Sequence, residues 1–145
     1  MKSIELLAPA KDLQAAVAAV DYGADALYIG GARFGARHAA GNSAEEIARA
    51  VEYAHQYGVR VHATLNTLLY DGELAEAERQ ARELIAAGVD ALIVADLGAF
   101  TLAGKYAPRC ARHISTQASI CNYETARAWN DPVSYTHLRA HETCA

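Results

Sequence analysis

Strand-like and helix-like segments alternate about every 30 residues along this chain, and that alternation restricts its fold more than any other feature. Ile4–Ala8 is a short apolar run that reads as a strand. Asp12 then opens a helix in which Leu13, Ala16, Val17 and Val20 recur at the spacing of one buried stripe. Gly23 ends it, because glycine enters the left-handed conformation of a helix C-terminus without steric penalty. Ala26–Gly30 is the second strand. Ser43 and Glu46 have the spacing of a capping box, Ile47, Ala50, Val51 and Ala54 repeat the buried stripe, and Gly58 closes that helix. Val59–Asn66 alternates, with Val59, Val61, Ala63 and Leu65 on one face and Arg60, His62, Thr64 and Asn66 on the other.

The pattern continues with a helix over Glu73–Ala87, carrying Leu74, Ala77, Ala81, Leu84 and Ile85 on its stripe, with Gly88 after it. Ala91–Asp96 is a fourth strand and Leu97–Tyr106 a fourth helix, ended by Pro108. His113–Ser119 is a fifth strand, and Asn122 caps a fifth helix beginning at Tyr123. The joins rhyme: Tyr22-Gly23-Ala24-Asp25-Ala26-Leu27 resembles Ala87-Gly88-Val89-Asp90-Ala91-Leu92. Strict alternation of this kind implies parallel strands with helical crossovers, either a closed barrel or an open doubly wound sheet. No G-x-G-x-x-G or P-loop follows any strand, which weighs against the nucleotide-binding open sheet. Polar residues at the carboxyl ends of several strands favour a (β/α)8 barrel, whose active site lies there. A complete barrel takes roughly 250 residues, so 145 residues supply about four and a half of its units.

Apolar residues make up 52% of the chain and charged residues 21%, a globular composition. No apolar run approaches the ~18 residues of a membrane span, and the N-terminus lacks a signal-peptide pattern, so a cytoplasmic, non-membrane protein is expected. With 13 basic against 17 acidic residues the net charge is −4, and no broad basic face is visible. Cys110, Cys121 and Cys144 are odd in number and lack C-x-x-C spacing, which argues against a disulfide framework or a self-contained zinc site.

After Asp131 the periodicity fails. Pro132 breaks the fifth helix, and Pro132–Ala145 resembles a translated adaptor-like ending, so the expected organisation is a domain over 1–131 and a non-native-looking tail over 132–145. His137 and His141 in that tail are spaced i, i+4, but no H-E-x-x-H glutamate stands between them, and no metal ligand is assigned.

Strand parity brings Glu5, Tyr28, Thr64, Asn66, Asp96, Ser115 and Gln117 toward one mouth, with His62 one layer deeper. Glu5, Asn66 and Asp96 are the candidate catalytic residues; Tyr28, Thr64, Ser115 and Gln117 are candidate substrate-binding residues. The loop after the second strand adds Arg33, Arg37 and His38 as cations for an anionic group, together with Asn42. Each has a structural alternative. Glu5 could pair with an interior cation, Asp96 could cap the fourth helix, Thr64 and Asn66 could fill hydrogen bonds at a strand end, Tyr28 and His62 could be satisfied interior groups, and the cationic loop could be merely solvated. Arg109, Arg112 and His113 precede the fifth strand and so fall at the opposite end. No serine, cysteine and histidine set reads as a nucleophilic triad.

The ordered segments ELLAPAKD, DYGADALYIGG, FGARH, VEYAHQYG, TLNTLLYDGEL, AGVDALIVADLG and ISTQAS resemble the N-terminal region of U32 peptidase-like (collagenase-like protease) proteins over residues 4 to about 129. FGARH followed by Asn42-Ser43, with Lys11, is most similar to the branch that makes 5-hydroxycytidine in 23S rRNA. The resemblance implies the barrel, a cytoplasmic setting, and a parent enzyme that hydroxylates rRNA or tRNA bases. It also implies an iron–sulfur cluster in the full-length parent, ligated by cysteines downstream of Asp131 and not by these residues. The alternatives it leaves are a collagenase-like peptidase and a catalytically inactive structural fragment. Ala95 departs from the family, which has Gln before the aspartate. A half barrel leaves its first and fifth strands unpaired on one side, so the isolated chain is expected to self-associate.

Overall fold

The structure, a computed structural model, describes residues 4–36 and 41–130. Five strands and five α-helices alternate among them: β1 (Leu7–Ala10), α1 (Leu13–Asp21), β2 (Ala26–Gly30), α2 (Ala44–Gln56), β3 (Arg60–Leu65), α3 (Leu74–Ala86), β4 (Ala91–Val94), α4 (Leu97–Tyr106), β5 (Ala111–Ile114) and α5 (Tyr123–Asn130). Single 3₁₀ turns at Asp71–Glu73 and Thr116–Ala118 precede α3 and follow β5.

The helix boundaries follow from local chemistry. Asp12 accepts the Ala15 N–H at 2.8 Å, and Ser43 and Glu46 form the reciprocal capping box. Asn122 accepts the Thr125 N–H at 2.9 Å. Each such cap stabilises its helix by about 1 kcal/mol relative to alanine. At the other ends Gly23, Gly58 and Gly88 adopt φ of +89°, +72° and +89°. There the following N–H turns back into the helix, Ala24 to the Ala19 carbonyl and Val59 to the Ala54 carbonyl, both at 3.0 Å. This closure satisfies carbonyls that the helix end would otherwise leave without a donor.

The rhyming aspartates have one shared use. Asp25 accepts the Leu6 N–H at 2.8 Å, and Asp90 accepts the Val61 N–H at 2.7 Å. Each carboxylate therefore ties the start of its own strand to the start of the strand before it. Asp90 also meets His55 Nε2 at 2.9 Å.

The strands form one parallel sheet in the order β1-β2-β3-β4-β5. Right-handed crossovers in unreversed order lay every helix on the same face, and consecutive helices α1 to α4 pack on one another accordingly. Ala10, Leu27, Ile29, Val61, Ala63, Leu65, Leu92, Val94 and Ile114 of the sheet meet Val20, Ile47, Val51, Leu84 and Phe100 of the helices in one buried core. The order never reverses, so the doubly wound alternative is excluded for this segment, since that architecture requires a switch point. The opposite sheet face carries no helix among the described residues.

Two strand positions differ from the sequence expectation. The first strand is Leu7–Ala10, not Ile4–Ala8: Ile4 and Leu6 are 95% and 57% exposed, and β1 takes its register from Ala8 and Ala10. Pro9 is tolerated because β1 is an edge strand, paired among the described residues with β2 alone. The fifth strand is Ala111–Ile114, not His113–Ser119. Ser115 accepts the Gln117 N–H at 3.2 Å and turns the chain into the 3₁₀ segment, after which Ser119 sits at φ 54°. Arg112 and His113 thus lie within β5 and not ahead of it. Smaller trims occur at the third and fourth strands and the third helix. The boundary expected at residue 131 lies outside the described residues.

Candidate functional site

The strand registers arrange the uncovered sheet face in rows. Tyr28 pairs with His62, and His62 with Ala91; Gly30 pairs with Thr64, Thr64 with Ile93, and Ile93 with His113. One row further toward the carboxyl ends, the same register continues through Asn66, Ala95 and Ser115, beyond the pairs Leu65–Val94 and Val94–Ile114.

That last row is a connected polar network. Asn66 donates from Nδ2 to Ser115 Oγ at 3.1 Å, crossing over β4, and accepts the Ala36 N–H on Oδ1 at 3.0 Å. The crossing is sterically open because the residue between them is Ala95, buried at 4% exposure. Ser115 is itself buried, at 7%. The β2–α2 loop closes the network from the other side: the Phe34 carbonyl accepts the Asn66 and Thr67 N–H groups at 2.8 and 3.2 Å. Phe34 holds φ 56°, a left-handed conformation costly for a bulky residue, on the order of 1–3 kcal/mol. The two new backbone bonds and a buried ring offset that strain. The carboxyl ends of β2, β3 and β5 are thereby joined through one asparagine.

The loop is also held from α3. Gln80 accepts the Arg33 N–H at 3.1 Å and donates to the Arg33 carbonyl, while Arg33 Nη1 pairs with Glu76 at 2.6 Å. Arg33 is therefore an ion-paired residue at this mouth. At the end of the same loop, Asn42 donates to the carbonyls of Lys11 and Gly30 at 3.0 and 2.8 Å. Arg37 and His38 lie outside the described residues.

Of the other sequence candidates, Thr64 stands one row below Asn66, and Gln117 contributes its backbone N–H to Ser115 while its side chain is exposed. Tyr28 is two rows below, level with His62. Asp96 accepts the Ala99 N–H at 3.0 Å as the N-cap of α4, so its capping alternative is realised and its carboxylate does not join Asn66.

Glu5 is not at the mouth. It precedes β1, pairs with Arg60 at the start of β3, and lies 3.7 Å from His62. His62, only 3% exposed, tilts against His113 at a ring-centroid distance of 4.8 Å. Four residue steps lead from His62 to Asn66, roughly 13 Å at the usual rise of a strand, which puts Glu5 at the amino end. The shift of β1 toward the C-terminus is the cause: Ile4, Glu5 and Leu6, which belong to the expected strand, stand ahead of the observed one.

Gln80 and Phe34 support the site without being among the sequence candidates. Gln80 had a signal, since it interrupts the apolar stripe Ala77, Ala81, Leu84 at a buried position. Phe34 had none, because nothing in its neighbours dictates a left-handed phenylalanine.

The described cysteines do not fit an iron–sulfur cluster, which needs convergent thiolates. Cys110 precedes β5 at the amino end, its Sγ toward the Val89 and Asp90 carbonyls, and Cys121 follows the 3₁₀ turn at the carboxyl end. Burial raises the Cys110 thiol pKa, and the nearby Asp90 carboxylate adds to the shift. No group of three or more His, Cys, Asp or Glu suited to a metal ion occurs among the described residues.

Comparison with known proteins gives a match of residues 11–135 to the family model described as Peptidase family U32. A 23S rRNA 5-hydroxycytidine synthase of Escherichia coli is 47% identical over 93% of this chain and 20% of its own length. A tRNA hydroxylation protein of Bacillus subtilis is 37% identical over 99% of this chain and 34% of its own length. An uncharacterized protease of Methanocaldococcus jannaschii is 37% identical over 90% and 32%. The chain thus spans a fifth to a third of the length of these relatives.

Proposed function

We propose, from the premise that this chain belongs to peptidase family U32, that it is part of an RNA-modifying enzyme that hydroxylates a pyrimidine base. One structural observation carries the reading: Asn66, Ser115 and the Phe34–Ala36 loop converge at the carboxyl ends of parallel strands, on the sheet face that no helix covers among the described residues. The names of the rRNA and tRNA hydroxylation relatives supply the reaction and RNA as the substrate, and the 5-hydroxycytidine of the first supplies the pyrimidine.

The architecture proposed for the whole protein is a (β/α)8 barrel. Unreversed strand order with helices on one face is the arrangement that closes into such a barrel, and the uncovered face then becomes its lumen. Asn66 and Ser115 would stand at the mouth, whereas Glu5, Arg60 and His62 would lie at the opposite end, where barrel residues serve stability. Asn66, a catalytic candidate in the sequence, is proposed as a substrate-contacting residue together with Ser115. Glu5 and Asp96 are assigned to structure, by ion pairing and capping. An iron–sulfur centre, where the longer protein has one, would take its cysteines from outside the described residues. No helix among the described residues is long and apolar enough to cross a membrane, and an RNA substrate suits a cytoplasmic setting.

Deleting the gene of the longer protein and weighing its rRNA and tRNA nucleosides by mass spectrometry tests this reading. Loss of a hydroxylated pyrimidine is the expected result; an unchanged nucleoside profile refutes it. The peptidase reading rests on the name of the family and on relatives named as a protease and a collagenase. It requires peptide cleavage by the longer protein.

A further inference from the structure

We propose that the Asn66–Ser115 pair is a two-donor site for a carbonyl oxygen, the C2 oxygen of a pyrimidine base; the identity of the base rests on the RNA reading above. The chemistry of the site follows from counting donors and acceptors. The Ala36 N–H can only donate, so the amide atom that faces it is Asn66 Oδ1, and the atom facing Ser115 is Nδ2. One Nδ2 hydrogen goes to Ser115 Oγ. The second has no acceptor among the described residues.

Ser115 Oγ receives two donors, Asn66 Nδ2 at 3.1 Å and the Gln117 N–H at 3.2 Å. Both its lone pairs are then occupied, and the hydroxyl can only donate. That proton also lacks an acceptor among the described residues, in a side chain 7% exposed, and a buried donor without a partner is costly. Two donating atoms 3.1 Å apart can be satisfied together by one oxygen with two lone pairs. They cannot be satisfied by an amine. Cytosine and uracil both carry such an oxygen at C2, and adenine carries no carbonyl.

Ala95 makes the arrangement possible. A long side chain in the row between Asn66 and Ser115 would occupy the line of their hydrogen bond and the approach to it.

The Asn66→Asp variant isolates the donors without removing the network. The carboxylate still accepts the Ala36 N–H, and Ser115 turns its proton toward the other oxygen, so both ligand donors are consumed while the shape is kept. The experiment is an NMR titration of the 145-residue chain with uridine, cytidine, adenosine and acetate, following the Asn66 side-chain amide and the Ala36 and Gln117 backbone amides. Uridine and cytidine should shift these resonances, adenosine should not, and Asn66→Asp and Ser115→Ala should each raise the apparent Kd about ten-fold. Backbone spectra of both variants report whether the fold is retained. Nucleoside binding of equal strength in both variants, or no shift with any probe, overturns the donor pair. A response to acetate alone overturns the assignment of the base. If nucleosides bind as expected but the deletion strain keeps every hydroxylated base, the hydroxylation reading fails and the site stands.

Discussion

Gly31→Ala would loosen the candidate mouth from outside, through a residue that touches neither Asn66 nor Ser115. A Cβ at position 31 would lie 2.6 Å from Gln80 Nε2, closer than real Cβ atoms approach, with its next neighbours at the ordinary distances of 3.5 and 3.6 Å. Backbone strain is not involved, because Gly31 is not at positive φ. Gln80 must therefore move, breaking its bonds to the Arg33 N–H and carbonyl. Two net hydrogen bonds and the desolvated groups they leave cost about 2–4 kcal/mol. Replacing glycine returns about 0.5–1 kcal/mol by restricting the unfolded chain, which leaves a loss of about 1–3 kcal/mol. Urea denaturation measures it globally, and hydrogen exchange at the Arg33 amide measures it locally. In a Gln80→Ala background the clash is gone, and the same substitution should be neutral or stabilising. An equal loss in both backgrounds refutes the reasoning.

Gly104→Ala should likewise reverse the usual helix preference. Alanine gains about 1 kcal/mol in a helix interior, but here the methyl meets the Arg112 guanidinium, which donates to the Phe100 carbonyl at 3.2 Å and lies 4.2 Å from the Phe100 ring centroid. Losing those contacts costs about 2–4 kcal/mol, so thermal melts should show destabilisation with Arg112 and stabilisation after Arg112→Met; the same sign in both contradicts the packing argument. Cys110 should give the chain an alkaline instability. Its thiol pKa is raised in the fold by burial, so the stabilisation is complete below the unfolded value of about 8.5 and is lost as pH rises through the folded value. Urea midpoints measured from about pH 7 to about pH 10, a range that brackets the ~8.5 of a free thiol, should fall more steeply for the native chain than for Cys110→Ser, and parallel slopes would count against it. The uncovered sheet face and the outer edges of β1 and β5 should drive self-association; sedimentation showing a concentration-independent monomer, with two-state melting, would contradict this.

The sequence made the repeating architecture legible because its determinants are local. Asp12, Ser43 with Glu46, and Asn122 cap helices within three residues of themselves, and Gly23, Gly58 and Gly88 end them within one turn. Strand ends were less legible, since a strand is bounded by its partners. Leu6 is as apolar as Leu7, yet it lies before the strand because pairing with β2 begins at Leu7–Ala26. His113 has the pattern of a strand start, but it is the third residue of β5, whose pairing with β4 begins at Ala91–Ala111.

The same distinction explains the site. Parity correctly assigned Asn66 and Ser115 to one face, but their contact spans 49 positions in sequence and the full width of β4. It exists only because Ala95 is small and because Phe34 accepts a strained conformation to present its carbonyl to Asn66. Asp96 and Glu5 look equally suitable in sequence, and each has been taken by a nearer partner, the first turn of α4 and the Arg60 guanidinium. A polar side chain on a parallel strand is thus available for a ligand only after the fold has claimed its share. Among the described residues, what that claim leaves on Asn66 and Ser115 is the second Asn66 N–H and the Ser115 hydroxyl proton.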